Sequence, residues 1–471
     1  VDYWTYQWSD LLLVTGARLR PKAVDAYYSW IRQQVEQNTP WDEFARGIVT
    51  ARGNTVENGA VNFFALHQDP LDMAETTSMA FLGMSINCAR CHDHPLEKWT
   101  NDQYYGFASL FSRVRGKGWG GDFRSGDGER TVFVADAGEV VQPRTGHPQP
   151  PTPLDAPPLD FESDRDRREY LAAWLTSPEN PYFTRAIVNR VWASFMGTGL
   201  VEAVDDLRLT NPESNPPLMA ALAGYLVEQK YDLKQLMRLI LNSAAYQRSS
   251  TPLPGNRDDQ RFYARFPTRR MSAEVLLDAM SQVTGVPTEF TETRQDGGSI
   301  NKVEIAKGTR ALQLRDTSVV SRFLETFGRP ERLITCDCER SDEPSMTQVL
   351  HLVNGGTLND KLSAEGNRID TWLDARATNE AILEDLYLAA LARLPDAAEK
   401  KNLLAVLQET DARIAKLAPG VEQAFRDAFG RVPTEAERER TLAAAGRAEK
   451  RLALEDLYWS VLTSREFLFQ H

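Results

Sequence analysis

Four cysteines in two close pairs, Cys88 with Cys91 and Cys336 with Cys338, set the first limit on how this 471-residue chain can fold. Pairs so close in sequence cannot staple a chain of this length, so burial of apolar surface must hold it together. Cysteines spent this way read as site residues. The first pair sits in Cys88-Ala89-Arg90-Cys91-His92, the attachment signature of a c-type haem. The chemistry needs that order: two thiols one helical turn apart add to the vinyl groups of the macrocycle, and the adjacent imidazole ligates the iron. The leading expectation is haem c bound by Cys88, Cys91 and His92, with His92 as the metal ligand. Two alternatives stay open. Cys88, Cys91 and His94 have the ligand types and spacing of half a zinc knuckle, which would make this a zinc or iron site bound by Cys and His without haem. Otherwise the two thiols close a structural disulfide and His92 is a surface residue.

For a second axial ligand the nearby candidates are His67, Met73, Met79 and Met84. Met79 and Met84 lie on the helix leading into the motif, where methionine is more often core than ligand. His67, between polar neighbours in Leu66-His67-Gln68-Asp69-Pro70, is the first choice. An open, five-coordinate iron is the equal alternative and favours catalysis over electron transfer.

The second pair lies in Thr335-Cys336-Asp337-Cys338-Glu339-Arg340-Ser341-Asp342-Glu343-Pro344. Cys-x-Cys either closes a readily reduced disulfide or supplies two soft ligands, and the redox disulfide Cys336–Cys338 is preferred. Glu339, Arg340, Asp342 and Glu343 are then candidate catalytic residues. The bland reading is a helix start with acids favoured by the dipole and two free thiols. Should both cysteine loops face each other, the four thiols also match an all-thiolate metal site. A third polar run, Asp205-Asp206-Leu207-Arg208-Leu209-Thr210-Asn211, reads as a solvated loop rather than a metal or sugar site.

Periodicity makes the fold mainly α. Apolar residues recur at helical spacing over Pro21–Glu36, Asp72–Ser85 and Tyr104–Val114, and a further helix opens at Thr39. Further helix starts are marked by Asn180-Pro181, Pro216-Pro217 and Asp232. Charged helices follow over Glu380–Leu417 and Glu435–Phe469. Helical periodicity breaks between residues 116 and 160, where Gly116–Gly128 alone holds six glycines. There Thr131–Val134 and Val140-Val141 flank Asp136-Ala137-Gly138 as a short β-hairpin. The expected organisation is a helical domain over 1–115 carrying Cys-x-x-Cys-His and a Gly/Pro-rich connection over 116–160. A helical domain over 161–365 with the Cys-x-Cys loop and charged C-terminal helices over 366–471 complete it.

Charge excludes one class of partner. With 54 Lys and Arg against 66 Asp and Glu, the net charge of −12 argues against nucleic acid and anionic membranes. The longest apolar runs, such as Leu11-Leu12-Leu13-Val14, are far too short for a transmembrane segment.

The residues also carry a resemblance. Leu82–Thr100, around Cys88-Ala89-Arg90-Cys91-His92-Asp93-His94-Pro95, looks like the end of domain of unknown function fifteen-forty-nine. Four further stretches resemble its partner, domain fifteen-fifty-three: Asn180–Trp192, Asp205–Pro212, Cys336–Ser345 and the closing Ser464–His471. The resemblance covers essentially the whole chain. These domains occur together in large secreted proteins of planctomycete-type bacteria, often behind a separate cytochrome c-like domain. It implies that His471 is near a natural C-terminus, and that Val1 lies inside the first domain. A missing N-terminal segment or subunit would then pack on that domain. The families carry no established activity.

Two functions follow. One is a periplasmic or secreted haem protein in electron transfer or redox catalysis, since this haem is attached outside the cytoplasm. Its partner is a redox protein or a small-molecule, carbohydrate-related substrate, and any enzyme would be a haem-dependent oxidoreductase. The other is a non-redox protein that binds or degrades polysaccharide and carries a structural zinc or iron.

Overall fold

The computed structural model describes residues 1–67, 69–118, 129–163, 165–259, 261–296, 299–341 and 343–470. With 53% helix against 5% strand, the protein is mainly α. Helices form where the apolar period and a cap coincide. Pro21–Gln37 starts on proline, buries Val24, Tyr27, Tyr28 and Ile31, and stops where Asn38 turns left-handed at φ 53°. Asn215 and Asp232 cap the helices Pro216–Glu228 and Leu233–Leu241 by accepting backbone N–H bonds with their side chains.

Buried apolar side chains gather in two cores, one running from Trp8 to Tyr263 and the other from Ala273 to Phe467. The first core therefore draws on both sides of the 116–160 connection. Arg168 is one of its ties: fully buried, it donates to the Ala51 carbonyl at 2.7 Å and lies 4.9 Å over the Phe64 ring. Asp166 neutralises that guanidinium at 2.7 Å, which offsets its burial. The second core packs Ala273–Thr284 against the C-terminal helices, and the Tyr458 hydroxyl donates to the Val283 carbonyl at 2.7 Å.

The connection contains a hairpin, but not with the expected arms. Thr131–Val134 pairs antiparallel with Val114–Lys117 and, on its other edge, with Gly53–Asn54. Val141 instead bridges Pro148. A four-residue strand with apolar residues gains more from a three-stranded sheet over the first core, where Val132 is buried, than from a two-residue partner of which Val141 is exposed. A second hairpin, Thr291–Asp296 with Ser299–Glu304, has no apolar alternation to announce it.

A buried charge network closes the seam between the cores. Helix Asp2–Leu11 belongs to the first core, yet its Tyr6 hydroxyl donates to Glu274 at 3.1 Å. Asp10 accepts from Arg332 at 2.7 Å and Arg340 at 2.8 Å, and Arg340 also reaches Glu274 at 2.9 Å. Burial alone would raise the Glu274 carboxyl, but the Arg340 guanidinium outweighs it and the group is held below its ordinary range. Arg332, with no exposed surface, lies 4.6 Å over the Tyr6 ring.

Candidate functional site

The helix delivering the first motif is shorter than its periodicity suggests. Pro70–Thr77 passes into a widened turn, Ser78–Leu82, which ends at Gly83 with φ 64°. Glycine is required there twice over: the backbone is left-handed, and a Cβ would come within 2.7 Å of Leu207.

The chain then forms a tight turn over Asn87–Arg90. Ala89 is fully buried beneath it, while Cys88 and Cys91 are exposed free thiols. Asn101 clamps the turn from behind, donating to the carbonyls of Ala89 at 2.7 Å and Arg90 at 3.0 Å. His92 is also exposed, and its Nδ1 lies 2.7 Å from the Asp93 carbonyl. A carbonyl only accepts, so Nδ1 carries the proton and Nε2 of the neutral ring keeps its lone pair. That is the tautomer a metal ligand needs. The donor set thus fits haem attachment, with two free thiols and an oriented imidazole. Among the described residues, no three His, Cys, Asp or Glu side chains converge as a protein-only metal site would require.

His67 does not lie in a polar loop. It is 4% exposed, packs edge-on to Phe63 at 6.1 Å, and its Nε2 has no hydrogen-bond partner. Burial, with Arg18 nearby, pushes its pKa down to about 4. It sits in the first core, unlike the exposed His92.

Cys336 and Cys338 are joined to each other by a disulfide. This removes both from any four-thiolate site. Their neighbours hold the loop. Glu339 accepts from the N–H groups of Arg332 at 3.0 Å and Leu333 at 2.9 Å, and Arg340 belongs to the seam network. Glu343 is exposed, and Asp342 lies outside the described residues.

The Asp205–Asn211 run is not merely a solvated loop. Asp205 is 6% exposed, pairs with Arg190 and accepts from the Asp337 N–H at 2.6 Å. Farther along, Leu207 donates to the Gly83 carbonyl at 3.0 Å, Leu209 to Glu97, and Thr210 to the Leu96 carbonyl at 3.2 Å. One segment therefore touches both cysteine loops. The acid-rich run was the only sequence signal, and it gave no partner.

These features define a two-core, mainly helical protein with an exposed Cys-x-x-Cys-His turn tied to a disulfide loop. Residues 1–116 match the family described as protein of unknown function DUF1549, and residues 167–407 match protein of unknown function DUF1553. The chain belongs to this planctomycete cytochrome-associated domain pair, as the sequence resemblance implied. No curated protein and no solved structure matches it. No helix among the described residues is long and apolar enough to cross a membrane.

Proposed function

We propose that the protein carries a covalent c-type haem on Cys88 and Cys91, with His92 as axial ligand, and acts outside the cytoplasm in electron transfer or redox catalysis. The observation that carries this reading is the outward turn itself: two free thiols beside an imidazole whose Nδ1 is already engaged by Asp93. The haem would supply one-electron chemistry at its iron. The chain's own residues do the rest. Asn101 and the buried Ala89 fix the turn, and the Asp93 carbonyl fixes the ring tautomer. The Cys336–Cys338 disulfide is read as a second redox group, and secretion or a periplasmic location follows from where such haem is attached.

A visible spectrum of protein made alongside a haem-attachment system tests the reading. A Soret band with α and β bands on reduction, retained after acid–acetone extraction, is the expected result. Stoichiometric zinc with no haem overturns it.

A further inference from the structure

The Cys336–Cys338 bridge joins residues two apart, so it closes too short a loop to remove much freedom from the unfolded chain. It is also open to reagents. Cys338 is exposed, and Cys336 is half-buried at the border of a cavity between the two cores. We infer that this disulfide takes two electrons from a protein dithiol by thiol–disulfide exchange, and that it prefers thiols presented among apolar side chains. The inference rests on reading Cys336–Cys338 as a redox group, and not on haem at Cys88 and Cys91.

The geometry sets the direction of attack. A substrate thiolate reaches the exposed Cys338 Sγ and forms an S–S bond there. The Cys336–Cys338 bond breaks, and its electron pair leaves on Cys336 Sγ. The Cys338 N–H already donates to that sulfur at 3.1 Å, so a hydrogen bond is in place for the charge it gains. A better-stabilised leaving thiolate departs faster. The second substrate thiolate then attacks the substrate's own sulfur in the mixed disulfide, and Cys338 leaves in turn. The substrate ends as a disulfide, oxidised by two electrons. Cys336 and Cys338 end as thiols, holding those electrons and the two protons that the substrate thiols gave up.

The surroundings favour a polypeptide over a small thiol. Just before the loop, Leu333 is exposed and Ile334 is 53% exposed. The next helix in the chain, Met346–Asn354, leaves Met346, Val349, Leu350 and Val353 exposed at the spacing of one helical face. A peptide segment with apolar side chains can cover such surface, which a lone thiol cannot. Glu331, Asp337 and Glu343 are exposed in the same stretch, and they repel an anionic thiol such as glutathione.

The test uses the whole chain in its disulfide form, carrying Cys88→Ser and Cys91→Ser so that no other thiol competes. The probes are a reduced two-cysteine peptide rich in leucine and valine, one of the same cysteine spacing rich in glutamate, and glutathione. One equivalent of the apolar peptide should be oxidised per chain, about tenfold or more faster than the acidic peptide. Ile334→Asp, at an exposed position, should keep the fold and remove most of that preference. Quenching part-way with N-ethylmaleimide, followed by tandem mass spectrometry, should find peptide on Cys338 and maleimide on Cys336. Equal rates for the two peptides, a faster reaction with glutathione, or peptide on Cys336 overturns the inference. Inertness to both peptides while dithiothreitol opens the bond also overturns it, and leaves the redox reading of the disulfide standing. Resistance to dithiothreitol as well overturns both.

Discussion

Arg340 reaches Asp10 at 2.8 Å across 330 positions of sequence, and at that point the two cores are fastened by charge. The same guanidinium serves Glu274, which is buried completely. Removing it leaves Glu274 buried without a counter-charge and Asp10 with Arg332 alone. Arg340→Met should therefore cost about 3–5 kcal/mol in urea unfolding, whereas most surface changes cost far less. Adding Glu274→Gln to that variant should recover part of the loss, because one uncompensated charge is then gone. An Arg340→Met protein as stable as wild type would refute this account of the seam.

Cys88→Ser with Cys91→Ser should abolish covalent haem retention and leave stability within about 0.5 kcal/mol, since both thiols are exposed. His92→Ala should leave haem attached but shift its spin state. Absorption spectra of the purified variants, before and after acid–acetone extraction, separate the two outcomes.

Cys336→Ser opens a disulfide that closes only a three-residue loop. The chain-entropy argument gives a stability loss of about 1–2 kcal/mol for so short a loop. The haem spectrum should stay intact, because Cys336 and Cys338 are bonded to each other and not to anything at the Cys88 turn. Loss of haem in this variant would show that the two cysteine loops share one site.

His67 gives the fold an acid-sensitive limb. The unfolded chain takes up a proton at this residue below about pH 6.5, while the buried ring resists it until about pH 4. Its contribution is thus fully present above pH 6.5 and is lost as pH falls towards 4, on the order of 3 kcal/mol in all. His67→Leu should flatten the stability profile across that window. Equal acid sensitivity in wild type and variant would count against the burial argument.

Local signals carried much of the helical fold. Proline starts and Asx caps at Pro21, Asn215 and Asp232 coincide with the apolar period, so the helices they open are readable from a dozen residues each. The Cys-x-x-Cys-His turn was equally local, because Cys88, Cys91 and His92 are neighbours in sequence. What escaped was long-range. Thr131–Val134 chose Val114–Lys117 over the nearer Val140, because sheet pairing is decided by what lies over the core. Asp205 read as a surface acid, since its partners Arg190 and the Asp337 N–H come from another helix and the other core. His67 looked polar by its neighbours, yet Phe63 and the first core enclose it.

The fully buried Arg168 bears on how such chains can be inherited. It lies just inside the DUF1553 segment, but the carbonyl it serves belongs to Ala51, inside the DUF1549 segment. A gene cut between residues 116 and 167 would strand that guanidinium and bare apolar surface on both fragments. Recombination that moved one segment without the other would produce chains prone to aggregate. The line drawn between the two families marks where sequences can be aligned, and it crosses a single unit of folding.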